Sequence, residues 1–256
     1  VISCIIQARV SSTRLPGKIL KDVSGHPLLW HVINRAKRIK SVDKVVLATT
    51  NESNDDTVVD FCKRVEIPCF RGSTNDVLDR YYQTAKSVNA DIIVRVTADC
   101  PLLDPEISEM VVKDFLEGNC DYSSNAIERT FPDGLDTEVF SFSALERAWK
   151  EAKLSSEREH VTSYIWKHPA KFKLRHVKQE KDLSFIRLTV DEPRDLEFVR
   201  KIYEHLYRPG NIFSMNDVIG LLGKNPDLLV INQDIQTNEG YLKSLKEDRE
   251  ILSPGE

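Results

Sequence analysis

Long apolar runs are missing from this sequence: none approaches the roughly twenty residues that a membrane-spanning helix needs. No signal-peptide pattern stands at its start, and the first residue is Val rather than Met, as in a chain processed or cut from a longer one. Excess charge of either sign is missing as well. Lys and Arg number 36 against 40 Asp and Glu, a net charge of −4, far from the basic footprint of a general nucleic-acid binder. The five cysteines (Cys4, Cys62, Cys69, Cys100 and Cys120) include no C-x-x-C pair. An odd set spread through apolar segments argues against a disulfide framework or a zinc site, and for free thiols in a reducing, cytoplasmic setting. Two common phosphate motifs fail too. A P-loop needs Gly where Ser12 stands and Ser or Thr where Ile19 stands, and the dinucleotide fingerprint needs spaced glycines that are not there. Internal repeats and low-complexity tracts are also missing.

What is present is an ordinary globular composition, 41% apolar and 30% charged over 256 residues, enough to bury a full core. Strand-like and helix-like patterns alternate through the first half. Residues 2–7, 44–49, 68–71 and 91–97 read as strands. Residues 27–39, a segment carrying Val58, Phe61, Cys62 and Val65, and 75–88 read as helices, with another opening at Pro105. That alternation predicts an α/β fold with an open, mainly parallel sheet sandwiched by helices. In such sheets ligands gather beyond the carboxyl ends of the strands. The middle is mixed: strands at 121–125, 135–140 and 171–177, and helices near 144–152 and 157–167. A core strand at 186–190 and an amphipathic helix at 192–206 follow. After Arg208-Pro-Gly210 only a short helix around 215–222 is expected, then a polar tail.

The first strand runs into Ala8-Arg-Val-Ser-Ser-Thr-Arg-Leu-Pro-Gly-Lys18. Small side chains at Ala8, Ser11 and Ser12 leave the loop surface open. Arg9 and Arg14 offer forked donors to phosphate oxygens and Lys18 a mobile point charge. Pro16 restrains the backbone and Gly17 frees it. The loop is a candidate cradle for a polyphosphate. Asp99 and Asp191 each stand just past an apolar strand, with a proline two residues on. Brought to one crevice without a cation, they would repel and one would protonate. Mg²⁺, which often takes one or two protein carboxylates together with substrate phosphate, removes the conflict. Taken alone, Asp191 is better explained as the cap of the following helix and Asp99 as a turn-former before Cys-Pro; it is the pair beside the loop that points to a metal.

Together with Arg71-Gly-Ser-Thr-Asn-Asp-Val-Leu-Asp-Arg80, Thr97-Ala-Asp-Cys-Pro-Leu-Leu103 and Val190-Asp-Glu-Pro-Arg-Asp-Leu-Glu197, the loop resembles one family in motif and order. It is that of the cytidylyltransferases that activate acidic sugars, the octulosonate and acylneuraminate enzymes and the spore-coat polysaccharide biosynthesis protein F branch. The resemblance implies a nucleotidyltransferase fold of the nucleotide-diphospho-sugar transferase type. It assigns Ala8, Arg9, Ser12, Arg14 and Lys18 to the triphosphate, Arg71, Ser73 and Arg80 to the nucleoside, and Asp99 and Asp191 to Mg²⁺. Two departures leave the acceptor open. Cys100 follows the metal aspartate where the octulosonate enzymes carry an acid, and Val10-Ser-Ser-Thr13 replaces the glycine-rich loop of the acylneuraminate enzymes.

The implied activity is transfer of CMP from CTP to an acidic sugar or related acceptor, with release of pyrophosphate, for cell-surface glycan biosynthesis. Arg14, Lys18, Asp99 and Asp191 would carry the catalysis. Acceptor binding falls to the middle segment, with Asp136 and His160 as candidates and Arg129, Arg158 and Arg175 as carboxylate grips. The expected organisation is a nucleotidyltransferase domain over residues 1–207, with about 121–185 as an acceptor-binding and dimerisation insert, and 208–256 as an extension or linker to a further domain. The family's dimers point to a homodimer, with Phe131, Phe140, Phe142, Trp149 and Trp166 as interface aromatics. Two rivals stand beside this reading. A glycosyltransferase of the same fold would commonly hold its metal with D-x-D, which does not occur here. A silent nucleotide-binding protein would have no need of all four charged residues.

Overall fold

A computed structural model of the chain describes residues 1–252. In chain order, β1 (Ile2–Gln7) is followed by a small hairpin, β2 (Asp22–Val23) and β3 (His26–Pro27), and by α1 (Leu28–Ala36). Then come β4 (Lys44–Thr50), α2 (Asp56–Arg64), β5 (Cys69–Gly72), α3 (Val77–Ser87), β6 (Ile92–Thr97) and α4 (Pro105–Glu117). The middle supplies β7 (Tyr122–Ser124), β8 (Glu138–Ser141), α5 (Phe142–Glu151), α6 (Ser155–Glu159), α7 (Ser163–Lys167) and β9 (Leu174–His176). Helices α8 (Pro193–Leu206), α9 (Met215–Lys224) and α10 (Glu239–Leu252) complete the described chain.

Seven strands form one sheet in the order β5-β4-β1-β6-β8-β7-β9. Strands β5, β4, β1 and β6 are parallel, and β8 alone runs against the rest. The sheet is buried on both faces, which is why its central strands are continuously apolar. Cys4, Ile6, Leu47, Val94, Val96 and Val139 enter one core, under α1, α2, α4 and α8. Ile5, Ala48, Ile93 and Phe140 enter the other, under α3, α5 and α7. Each face thus takes alternate residues of the same strand. The expected nucleotidyltransferase-type open sheet is what forms.

Three expectations need correction. Residues 186–190 are buried and extended, yet they join no ladder. Their amides and carbonyls pair with the loop residue Asp133 and with Asp99 instead: Leu188 N–H to Asp133 O at 2.6 Å, Asp133 N–H to Ile186 O at 2.9 Å, and Val190 N–H to Asp99 O at 2.8 Å. The contact is so close that only glycine fits beside it. Gly134 has φ +103°, and a Cβ there would stand 2.5 Å from the Thr189 nitrogen. The helix expected over 157–167 is two short helices, broken where Val161 takes φ +53°.

The polar tail, in turn, folds back on the domain. Arg35 donates to the Phe213 carbonyl at 3.0 Å, Asp104 accepts from Met215 N–H at 2.6 Å, and Val218 and Leu222 enter the core. The α10 helix docks on α6, where Asp248 accepts from the Ser156 amide at 2.9 Å and Glu247 from the Ser155 hydroxyl at 2.8 Å. Among the interface aromatics, Phe131 and Phe140 are core residues, exposed by 2% and 0%. Tyr82 stacks on Trp149 at 4.2 Å and on Phe142 at 5.6 Å, and Trp166 packs on Tyr241. Among the described residues, no helix is long and apolar enough to cross a membrane.

Candidate active site

The carboxyl ends of β1 and β6 are neighbours in register, Gln7 beside Thr97. The loop after β1 and the turn carrying Asp99 therefore leave the sheet side by side. Asp191 lies 92 positions further on, but the Val190–Asp99 hydrogen bond staples its segment to the same edge. The result is a single charged centre. Lys18 Nζ donates to Asp99 Oδ2 at 2.8 Å and to Asp191 Oδ1 at 2.9 Å. Arg14 reaches Asp191 at 3.1 Å from the solvent side. The spatial convergence expected of the loop and the two aspartates is present.

The loop's shape follows from its residues. Gly17 sits in the left-handed region at φ +66° and donates its N–H to Val10 O at 3.1 Å, closing the loop on itself. The buried Asp55 accepts from Val10 N–H at 2.7 Å and from the Thr50 hydroxyl, tying the loop to the end of β4. Among the described residues, the amides of Ser11, Ser12 and Thr13 have no backbone partner and are available to an anion. Behind Asp191, the buried Arg187 bridges three acids: Asp195 at 2.9 Å, Asp191 at 2.9 Å and Asp133 at 3.3 Å. Asp195 also accepts from the amides of Asp191 and Glu192, so it fixes the turn into α8. Asn232, from the C-terminal segment, seals this cluster by donating to Asp195 at 3.0 Å.

Electrostatically the centre is poised for charge. Burial would lift the Asp99 carboxyl, but the Lys18 ammonium beside it overrides that and draws it down to about 2. Burial works against the Lys18 charge too, and the two aspartates more than offset it, so its pKa rises. Around this centre lies a cleft of about 770 Å³. Ala8, Arg9, Ser12, Arg14, Lys18, Asp99, Asp191 and His160 all line it, together with Gln7, Thr74, Asn75, Arg95, Thr97, Arg158 and, from α10, Glu239, Lys243 and Glu247.

Other expected site residues lie elsewhere or are engaged. Arg71 is not among the lining residues. It donates to the carbonyls of Thr50 and Glu52 and pairs with Asp56, holding the β4–α2 connection. The Ser73 hydroxyl accepts from the Asp76 amide, a capping turn before α3. Arg80 is fully buried. It donates Nη1 to Ser73 O at 2.7 Å and leaves Nε and Nη2 without partners, while Asp76 pairs instead with Arg158. Asp136 is held by both Nη atoms of Arg129 at 3.0 and 2.9 Å, away from the cleft lining. Burial and then the Asp133 carboxylate push it up to about 7, against the pull of Arg129. None of the three arginines expected to grip an acceptor is free. Arg129 holds Asp133 and Asp136, Arg158 holds Asp76, and Arg175 holds Asp114 at 2.7 Å. His160 faces the cleft with Nε2 3.0 Å from the Ser244 hydroxyl, and burial lowers its pKa to about 4, so the ring is neutral.

Residues that the sequence reading missed are Asp55, Arg95, Thr97, Arg187 and the α10 wall. A charged residue inside an apolar strand was the available signal for Arg95. For α10 the signal was only a helix-compatible polar stretch.

An open α/β sheet with a phosphate-type loop after its first strand, facing two aspartates, defines a protein of the nucleotidyltransferase fold. A cytidylyltransferase family model matches residues 3–217, and the chain belongs to the cytidylyltransferase family. The spore coat polysaccharide biosynthesis protein SpsF of Bacillus subtilis is 32% identical over 87% of this chain and 94% of its own length. A cytidylyltransferase structure from Leptospira borgpetersenii superposes with a TM-score of 0.86 at 38% identity, over 92% of this chain and 98% of that one. The CMP:2-keto-3-deoxy-manno-octonic acid synthetase complexed with CTP shares the fold, with a TM-score of 0.61 at 18% identity, over 79% of this chain and 98% of that one.

Proposed function

We propose that the protein transfers CMP from CTP to an acidic sugar or a related acceptor, releasing pyrophosphate. The observation that carries this reading is the convergence of Lys18, Asp99 and Asp191 within one cleft, with Lys18 Nζ 2.8 Å from Asp99 and 2.9 Å from Asp191. An acceptor oxygen attacks the α-phosphorus in line, the bond to the pyrophosphate oxygen breaks, and the hydroxyl proton is released. Most of the catalysis is then positioning and charge stabilisation. The open amides of Ser11 and Ser12 and the side chains of Arg9 and Arg14 bind the phosphate chain, and Lys18 neutralises charge on the departing pyrophosphate.

The donor set suits a hard divalent cation. Asp99 and Asp191 direct oxygens at one point that a positive charge already occupies. Among the described residues no third acidic, His or Cys ligand joins them, which matches Mg²⁺ completing its shell with water and phosphate. Bound there, Mg²⁺ would stabilise charge on the transferring phosphate. Arg187 at 2.9 Å and Arg14 at 3.1 Å hold the Asp191 carboxylate in place for it.

The test is pyrophosphate release with each of the four nucleoside triphosphates, with Mg²⁺, across acidic sugars, neutral sugars and polyols. CTP with an acidic acceptor should give activity. Asp99→Asn should cut turnover by about a hundredfold or more, with the circular dichroism unchanged. Activity with UTP or GTP alone contradicts the cytidine assignment. Release of a nucleoside diphosphate from a nucleotide sugar would establish the glycosyltransferase reading in its place.

A further inference from the structure

Arg95 is a charge in an apolar strand. It stands between Val94 and Val96 in β6, on the face that carries Ile93 and Thr97, and opens onto the cleft. A guanidinium has five N–H donors. Glu138 takes Nη1, and that carboxylate is shared with the Tyr122 hydroxyl at 2.6 Å and the Thr162 hydroxyl at 2.5 Å. Nε is buried with no partner, and so is Oε1 of Gln7 on the neighbouring strand. Arg80 also has unmet nitrogens, but it lies outside the cleft lining, whereas Arg95 is part of it.

The surroundings favour an anion at this end. His160 is held neutral by burial and then by the Arg95 charge. Lys243, on the α10 wall, is exposed and has no ion pair among the described residues. The acids nearby are engaged: Glu159 pairs with Arg9 at 3.5 Å, and Glu247 accepts from Ser155. Arg95 lies four residues before Asp99, inside β6 and behind the turn that carries the aspartate, and lines the same cleft as the loop cations.

We propose that this end of the cleft is the acceptor's anion subsite, with Arg95 gripping a carboxylate and Lys243 adding a second charge from α10. The proposal rests on the CMP-transfer reading for its role, but its test does not depend on turnover. Binding of N-acetylneuraminate, 3-deoxy-manno-octulosonate and neutral mannose is measured by calorimetry, with and without a CTP analogue carrying a methylene bridge between the α and β phosphorus atoms. The wild-type protein should bind at least one of the carboxylate sugars, and bind it more tightly than mannose. Arg95→Gln should weaken that binding tenfold or more and Lys243→Gln about threefold, with Arg95→Lys in between, while affinity for the CTP analogue stays unchanged in all three. Equal binding of mannose, binding of none of the three sugars, or a loss confined to the CTP analogue overturns the proposal. Because Lys243 is exposed, Lys243→Gln decides the matter even if Arg95→Gln fails to fold; unchanged sugar affinity in that variant also overturns it. Sugar binding without CMP transfer would leave the subsite standing and the reaction assignment refuted.

Discussion

Replacing Lys18 by Met removes the ammonium that stands between Asp99 and Asp191. Asp191 keeps Arg14 at 3.1 Å and Arg187 at 2.9 Å, whereas Asp99 has no other ion-pair partner among the described residues. The cost therefore falls on Asp99. Its carboxyl is held at about 2, against the ordinary 3.8, with Lys18 the largest stabilising influence; at 1.36 kcal/mol per pKa unit that net shift is worth about 2 kcal/mol. The loss of one partner from a largely buried pair points the same way, at about 3–5 kcal/mol before allowance for the exposed edge of the site.

The sign follows from the depressed pKa. This stabilisation is fully present above the unfolded carboxyl's pKa and is lost as pH falls through the folded value. The raised Lys18 pKa keeps its share intact until pH passes above the ordinary lysine range. Urea unfolding from pH 7 down to pH 3 should thus show Lys18→Met weaker by about 2 kcal/mol at neutral pH, with the gap closing as acid protonates Asp99. In thermal melts the neutral-pH difference is about 5 °C for a chain of this size. A gap that is the same at every pH, or none at pH 7, refutes the electrostatic account of this centre.

Two other perturbations follow from the geometry. Gly134→Ala drives a Cβ to within 2.5 Å of the Thr189 nitrogen, and should cost about 2–3 kcal/mol in denaturant unfolding while lowering turnover through the displaced Asp191 segment. Glu239→Gln removes the α10 carboxylate that pairs with Arg14 at 2.8 Å. Since the pair is partly exposed and worth at most about 1 kcal/mol, calorimetry should find CTP bound up to about fivefold tighter, whereas weaker binding would mean that Glu239 assists the nucleotide.

Much of the architecture is legible in hydropathy alone. Strands β1, β4 and β6 read as continuous apolar runs because both faces of the sheet are covered, and helices α4 and α8 announce themselves by a proline at their first position. Asp99 is legible as an acid just past a strand, and Asp191 as an acid just past a buried apolar run. Ile186–Val190 misleads because apolar alternation reports burial, and a segment bound to Asp133 and Asp99 is buried without joining a ladder. The arginines mislead because their partners are remote. Nothing local ties Arg158 to Asp76 or Arg175 to Asp114, so internal pairs read as free cations. The α10 helix is invisible for a related reason. Its docking uses Ser244, Glu247 and Asp248 rather than an apolar stripe.

The central claim is that the loop and both aspartates serve one nucleotide and one cation. Electron paramagnetic resonance of Mn²⁺ added with the methylene-bridged CTP analogue tests it most directly, using wild type, Asp99→Asn and Asp191→Asn. Wild type should immobilise the ion only when the nucleotide is present, and each single substitution should release it. Wild-type binding retained in both variants would contradict a shared site.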